Sequence, residues 1–238
     1  MKIGKVESLW RYPVKSLIGE KLDVLNIDAR GVSGDREYAL SNSEGKFGSG
    51  KDTRRFRRID GLFSMSAKSY NNGVSIKFPD DKVLTNKDPS INPKLSQTLG
   101  QNVTLTKEGG ISHFDDGAIH IITTSSLSLL RKLLPKSGID TNRFRPNIVL
   151  NSQHLDQELI GKTIKIGETL LEITHKTERC RMITIAQPGI ENRPEILKSV
   201  SKNFGLNFGV YARVISKGAI SIRDSVVINS TTDDDCSK

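Results

Sequence analysis

Cys180, in the run KTERCRMITIAQPG (176–189), stands between Arg179 and Arg181. Adjacent cations lower a thiol pKa, and the resulting thiolate is both a nucleophile and a soft metal ligand. In a regular strand both arginines would point to the face opposite the sulfur, so the effect requires a loop or bulge. Two other readings stand beside this one: a small buried hydrophobe, and a nucleophile paired with His175. A second group of residues suits anions. In RYPVKSLIGE (11–20) Pro13 ends or edges a strand and leaves Lys15 and Ser16, an ammonium beside a hydroxyl, on a loop. In GVSGDREY (31–38) two glycines permit a tight turn, Asp35 is placed to bond the turn backbone, and Arg36 is thrown forward at the start of the next strand.

Two further stretches extend the anion-binding set. Strand alternation across TNRFRPNIVL (141–150) puts Arg143, Arg145 and Asn147 on one face and Phe144 and Ile148 on the other. Half-buried guanidiniums in a row call for an anionic ligand or for local carboxylates. Thr124, Ser125 and Ser126 fall where HIITTSSLSLLRKLL passes from strand to helix, a place for a phosphate cradle or for ordinary capping. HFDDGAIH (113–120) holds two histidines and two aspartates without a standard zinc spacing.

The elements that must position these residues are mostly short strands. Runs such as KVESLW, KLDVLNID, GVSIKF, AIHIITT, TLLEITH and FGVYARVIS recur between Gly, Asn, Asp and Pro turns such as YNNG and FPDD. Helices are few: SSLSLLRKLL (125–134) with Pro135 as its stop, and PEILKSVSKNFG between Pro194 and Gly205. The expected fold is mixed α+β, predominantly β, of barrel or sandwich type. The polar stretch SINPKLSQTLGQN (90–102) reads as a loop seam, dividing the chain near residue 100 into residues 1–100 and 101–228. The tail 229–238, which carries Cys236, reads as disordered.

Composition narrows the classes. The 238 residues suffice for a core without staples, and two cysteines are too few for a disulfide framework. No run of about 18 apolar residues occurs and the N-terminus lacks a signal-peptide core, so a cytoplasmic protein with no membrane partner is expected. A formal charge of +9 favours anionic partners. The densest basic run, KDTRRFRRIDG (51–61), permits phosphate contacts with base stacking on Phe56. Aromatics make up only 5% of the chain and no recognition signature follows, so a solvated or anion-binding loop is the preferred reading.

Together, YPVKSLIGE, GVSGDREYAL, TTSSL, RFRPNIVL, the cysteine of ERCRM and FGVYARVISKGAISIRDSV resemble the MOSC (molybdenum cofactor sulfurase C-terminal) family. The branch is the one with an N-terminal MOSC β-barrel domain, which includes the amidoxime-reducing component and bacterial hydroxylaminopurine-resistance proteins. The resemblance spans residues 1–228 and implies a β-barrel-like MOSC fold. It implies a molybdenum cofactor (Mo-molybdopterin) whose metal is bound by the Cys180 thiolate, with Lys15, Ser16 and Arg36 on the phosphate. Thr124, Ser125, Arg143, Arg145 and Asn147 would surround the pterin and its anionic groups. It further implies reduction of a small N-hydroxylated substrate, with electrons from an external protein of ferredoxin, flavodoxin, cytochrome or reductase type. The alternative is a carrier of the cofactor or of a metal-sulfur species without reductase activity. One departure stands out: Arg223 in ISIRDSV occupies a position where the family commonly has glycine.

Overall fold

The computed structural model describes residues 1–134 and 139–229. Seven strands close into a barrel: β1 (Lys2–Arg11), β2 (Ile119–Thr123), β3 (Ile148–Ser152), β4 (Thr163–Ile166), β5 (Thr169–Glu178), β6 (Asn207–Ser216) and β7 (Ser225–Ile228). Around the ring the order is β1, β3, β2, β6, β5, β4, β7 and back to β1, with β2 and β3 parallel and the other pairs antiparallel. Period-2 alternation sends Ile119 and Ile121, Ile148 and Leu150, and Val210 and Ala212 inward, where they join Val6, Leu9, Ile164 and Leu171 in a dry core. β1 buries Ile3, Val6 and Leu9 at intervals of three because bulges interrupt its pairing with β3 and β7.

The residues pointing outward from the same strands build a second layer. Ile122, Val149 and Phe208 pack under α2 (Thr124–Leu133) and α3 (Pro194–Phe204). α2 starts at Thr123, whose side chain accepts from the Ser126 backbone N–H, and it buries Leu127 and Leu130 while Leu133 stays exposed. Its expected stop, Pro135, lies outside the described residues, as do Cys236 and the rest of the tail beyond Asn229. α3 begins at Pro194 and ends on Gly205 in the left-handed conformation, as its sequence signals require.

A second body is built from the sheet of Tyr38–Ser41, Phe47–Ser49, Phe56–Arg58 and Thr104–Lys107 and the meander Ser66–Tyr70, Gly73–Lys77 and Val83–Thr85. Leu17, Leu40, Met65, Ile76, Phe78 and Leu95 share its core. The meander's first turn is Asn71-Asn72, both with positive φ, as a tight two-residue hairpin loop demands. The stretch read as a loop seam is partly a helix, α1 (Ile91–Leu99), which buries Ile91 and Leu95; Pro93 sits in its first turn, where a missing N–H is harmless.

Sheet pairing crosses the division expected near residue 100. β1 belongs to the barrel, and Val24–Asp28 pairs with Gly218–Ser221 and sends Leu25 and Ile27 into the barrel core. In the other direction, Thr104–Lys107 pairs with Tyr38–Ser41 in the second body. The departure at Arg223 is accommodated without rebuilding the turn. Arg223 takes φ 71, the region glycine favours, and Asp224 accepts from the Ser221 backbone N–H at 2.8 Å. A non-glycine residue there costs on the order of 1–2 kcal/mol. No helix among the described residues is long and apolar enough to cross a membrane.

One buried carboxyl ties these layers together. Asp156 accepts from the backbone N–H of Thr123 at 2.7 Å and of Gly209 at 3.0 Å, joining β2 to β6. Burial pushes it up to about 6 despite those bonds. Below its unfolded value of 3.8 it is protonated in both states. As pH rises from there to about 6 the unfolded chain loses its proton first, so stability falls, then levels off; the displacement is worth roughly 3 kcal/mol. Urea unfolding followed from pH 4 to 8 should show this decline in the wild type, and Asp156→Asn should lack it.

Candidate functional site

At Tyr12-Pro13 the chain leaves β1 and crosses from the barrel to the second body. Tyr12 N–H donates to Asp35 Oδ1 at 2.6 Å, and Lys15 N–H to the Tyr38 carbonyl at 2.7 Å. The crossing creates a cleft between the bodies, lined by Lys15, Ser16, Arg36, Arg143, Arg145 and Cys180 among others. Six of the nine residues singled out in the sequence thus meet at one place. Three of them, Ser16 (φ 65), Arg36 (φ 50) and Arg145 (φ 54), adopt left-handed backbone that non-glycine residues seldom occupy. Such strain clusters where surrounding structure fixes a side chain for a task.

Each cation is held by a backbone carbonyl. Lys15 Nζ donates to the His113 carbonyl at 3.0 Å and pairs with Asp115 at 2.8 Å, and it lies 4.4 Å from the Phe56 ring centroid. Arg145 donates to the Leu17 carbonyl at 2.6 Å and stacks over Tyr12 at 4.2 Å. Arg36 pairs with the fully buried Asp35 and reaches the Arg145 carbonyl at 3.5 Å. Arg143 donates to the Ile183 carbonyl at 3.4 Å and to that of Glu191. Ser16 Oγ donates to the Gly48 carbonyl at 2.9 Å.

Charge is poorly balanced here. Burial, then the neighbouring Arg36, lowers Arg145 to about 10, and burial likewise lowers Lys15 despite Asp115. Burial pushes Asp115 up, but the Lys15 charge and hydrogen bond, with Arg36 and Lys51, overcome it and hold the carboxyl at about 2. Arg145 Nη2, Arg179 Nε and Arg143 Nε are buried and make no hydrogen bond. Three donors on three cations converging on one cleft fit an anionic ligand with several acceptor oxygens.

Three expected residues lie elsewhere. Thr124 and Ser125 spend their hydroxyls on the Ser152 carbonyl, at 3.3 and 2.7 Å, pinning α2 to β3. Asn147 is fully buried between β1 and β2, its Oδ1 accepting from His120 N–H at 3.1 Å and its Nδ2 donating to the Trp10 carbonyl at 3.3 Å. None of the three lines the cleft. The single strand expected over 141–150 is replaced by a 3-10 turn, Thr141–Phe144, the left-handed Arg145, and a strand that begins only at Ile148. Pro146 and the Asp140 cap, whose side chain accepts from Asn142 N–H, break the alternation. Asp35 likewise bonds Tyr12 across the site rather than its own turn.

Cys180 sits where a break was required. β5 ends at Glu178, and Cys180 caps a 3-10 turn over Arg181–Thr184. Arg179 and Cys180 therefore both face the cleft, while Arg181 turns away to within 3.7 Å of Asp60. Arg179, buried, donates to the Phe144 carbonyl at 2.6 Å; strand parity had placed it on the wrong face. His120 and Tyr211 also line the cleft from the outer face of the barrel, their rings 5.6 Å apart. Their signal was strand alternation in AIHIITT and FGVYARVIS, where the polar ring lies opposite core positions. Burial, reinforced by the Arg179 charge, drives the His120 imidazole well below its usual range and keeps it neutral. His175 is engaged by Asp116 and Thr174, each at 2.8 Å, and does not line the cleft, so a Cys180–His175 nucleophile pair is not assembled.

Similarity to known proteins extends over nearly the whole chain. A family model described as the MOSC domain matches residues 97–227, and one described as the MOSC N-terminal beta barrel domain matches residues 3–120. The human protein named mitochondrial amidoxime-reducing component 1 is 23% identical over 95% of this chain and 83% of its own length. The molybdenum cofactor sulfurase of Drosophila ananassae is 28% identical over 57% of this chain but only 18% of its own length, and that of Drosophila melanogaster is 29% identical over 49% and 16%. The chain thus spans under a fifth of the sulfurases it matches. The YUAD protein from Bacillus subtilis shares the fold, with a TM-score of 0.54 at 14% identity and coverage of 94% of this chain and 93% of that one. With its barrel, its crossing cleft and a family match over more than half its length, the chain belongs to the MOSC domain family, in the form that carries an N-terminal MOSC β-barrel domain.

Proposed function

We propose that the cleft binds a molybdenum cofactor and that the protein is an oxidoreductase reducing N-hydroxylated compounds, with electrons supplied by a separate protein. The observation that carries this reading is the convergence of unpaired buried donors on Arg143, Arg145 and Arg179 around the half-buried Cys180. Among the described residues no cluster of three or more His, Cys, Asp or Glu is placed to hold a bare metal ion. A single thiolate suits a metal that arrives with its remaining ligands attached, and the cations suit an anionic organic handle. The likeness to the amidoxime-reducing component, which extends over nearly the whole chain, supports the reductase activity.

In this reading Cys180 Sγ is the protein's ligand to molybdenum, and Lys15, Arg36 and Arg145 grip the phosphate of the handle. Arg143 and Arg179 present donors to the pterin side, and Ser16 holds the Lys15 loop against Gly48. The bound cofactor supplies two-electron redox chemistry. The conversion of an N–OH group to N–H consumes two electrons and two protons and releases water. Tyr211, its phenol pushed up to about 12 by burial, stays protonated at neutral pH and lines the wall where a substrate would sit. The cytoplasm, where such a cofactor and its donors meet, is the proposed location.

Cys180→Ser should lower molybdenum per purified chain by about tenfold or more, measured by elemental mass spectrometry. Equal metal in both proteins would remove Cys180 from its role. Arg145→Gln, which deletes a buried cation that faces the cleft, should release the cofactor roughly ten to a hundred times more readily, with a weaker salt dependence than the wild type. Metal-loaded protein given an electrochemically reduced donor should turn over amidoximes and hydroxylamines. Loaded but inert protein would mark a cofactor carrier instead.

A further inference from the structure

The basic run 51–61 forms a charged face of its own beside the cleft. With the neighbouring Arg181 it gathers six cations, Lys51, Arg54, Arg55, Arg57, Arg58 and Arg181, against two carboxylates, Asp52 and Asp60. The arginines at 54, 55, 57 and 58 are all exposed. Among the described residues Lys51, Arg54 and Arg55 have no carboxylate within ion-pair distance. The pairs that do form, Arg57 with Asp52 at 3.9 Å and Arg58 with Asp60 at 3.1 Å, are open to solvent, contribute little and give way to other carboxylates.

The backbone under these charges is fixed. Phe56–Arg58 pairs in parallel with Phe47–Ser49, Thr53 Oγ1 accepts from Phe56 N–H at 3.1 Å, and Asp52 Oδ1 accepts from Arg58 N–H at 2.9 Å. Arg55 donates to the carbonyls of Ser112 at 2.7 Å and Phe114 at 3.1 Å. The Phe56 ring is buried, with Arg55 5.1 Å and Lys51 5.5 Å from its centroid, so it offers no surface on which a base could stack. That separates this face from a nucleic-acid site. The segment is also joined to the cysteine turn: Gly50 lies against Met182, where any Cβ would collide, and Arg181 reaches Asp60 at 3.7 Å. The cations therefore adjoin the turn that starts at Cys180, and Lys51 lines the cleft itself.

We propose that this face docks the electron-donating protein, a small carrier whose cofactor edge is ringed by carboxylates. That the partner donates electrons rests on the reductase reading above; that it is acidic rests on the face alone. Opposite charge steers such an encounter and sets its orientation, and the position of the face beside the Cys180 turn brings the carrier's cofactor up to the cleft. Each turnover draws two electrons, from two encounters with a one-electron carrier or one with a two-electron carrier. The carrier is oxidised as the N–O bond breaks, and two protons from solvent complete the N–H product and water.

The test uses the full, molybdenum-loaded chain and two acidic carriers, a flavodoxin and a plant-type 2Fe–2S ferredoxin. Calorimetric titration should show binding of each that weakens about tenfold between about 20 and about 200 mM salt. Arg54→Glu combined with Arg57→Glu should weaken binding about tenfold or more at low salt, flatten its salt dependence, and raise the KM for each carrier in hydroxylamine reduction by a similar factor. Reduction driven by dithionite-reduced methyl viologen, which needs no protein face, should match the wild type. Lys165→Glu, a charge reversal at an exposed position of β4, should leave carrier binding within about twofold. Wild type that binds neither carrier, or a double variant that binds both like the wild type, overturns the face. An equal loss in Lys165→Glu also overturns it, because net charge alone would then explain the binding. A single-stranded oligonucleotide that binds more tightly than either carrier, and is lost in the double variant, overturns the redox partner in favour of nucleic acid. Carrier binding that behaves as expected in protein that reduces nothing with viologen overturns the reductase reading and leaves the acidic-partner face standing.

Discussion

Positive charge buried in excess of negative charge is the constraint around which this molecule is arranged. Lys15, Arg36, Arg145 and Arg179 surround one cleft, and the nearby carboxylates are Asp35, Asp115 and the exposed Glu178. A cation withdrawn from water costs several kcal/mol unless its donors are satisfied. The chain meets that cost with backbone carbonyls, those of His113, Arg145, Leu17 and Phe144. Carbonyls in strands and helices are already used, so the cleft has to be lined by irregular backbone. That need accounts for the left-handed residues at 16, 36 and 145, for the 3-10 turns at 141–144 and 181–184, and for the break that ends β5 before Cys180.

The same need explains what was legible in the sequence and what was not. The short alternating runs marked the barrel strands because those strands are regular; in the fold Ile119, Ile121, Ile148 and Leu150 all point inward as a period of two requires. Residue chemistry identified Lys15, Arg36, Arg145 and Cys180, because cations and a lone thiol near turns are informative whatever the backbone does. Alternation then failed where the cleft begins. It grouped Asn147 with Arg143 and Arg145 on a strand that does not exist, and it turned Arg179 away from Cys180. Thr124 and Ser125 failed differently: helix capping and strand pinning compete for the same hydroxyls as an anion would, and Ser152 wins both. The helix at 91–99 was hidden by its own Pro93, Asn92 and Gly100, residues that also make loops.

Neither body owns the cleft. The second body contributes Lys15, Ser16 and Arg36, the barrel side Arg143, Arg145 and Cys180, and Lys15 is paired with Asp115 on the approach to the barrel. The aromatic rings repeat the pattern: Tyr12 lies beneath Arg145 and Arg36 alike, so one side chain at the crossing orients cations from both sides. Any relative shift of the bodies would disturb the carbonyl set and the cations together.

Ring closure has a consequence for biosynthesis. β1 is flanked in the barrel by β3 and by β7, whose residues 225–228 are made more than 200 positions later. Pairings of such separation are slow to form, and until they do the edges of both strands are open to association with other chains. The closed barrel that brings Arg143, Arg145 and Cys180 to the cleft therefore forms only after residue 228 has been made, and a chain cut short of that point keeps both edges open.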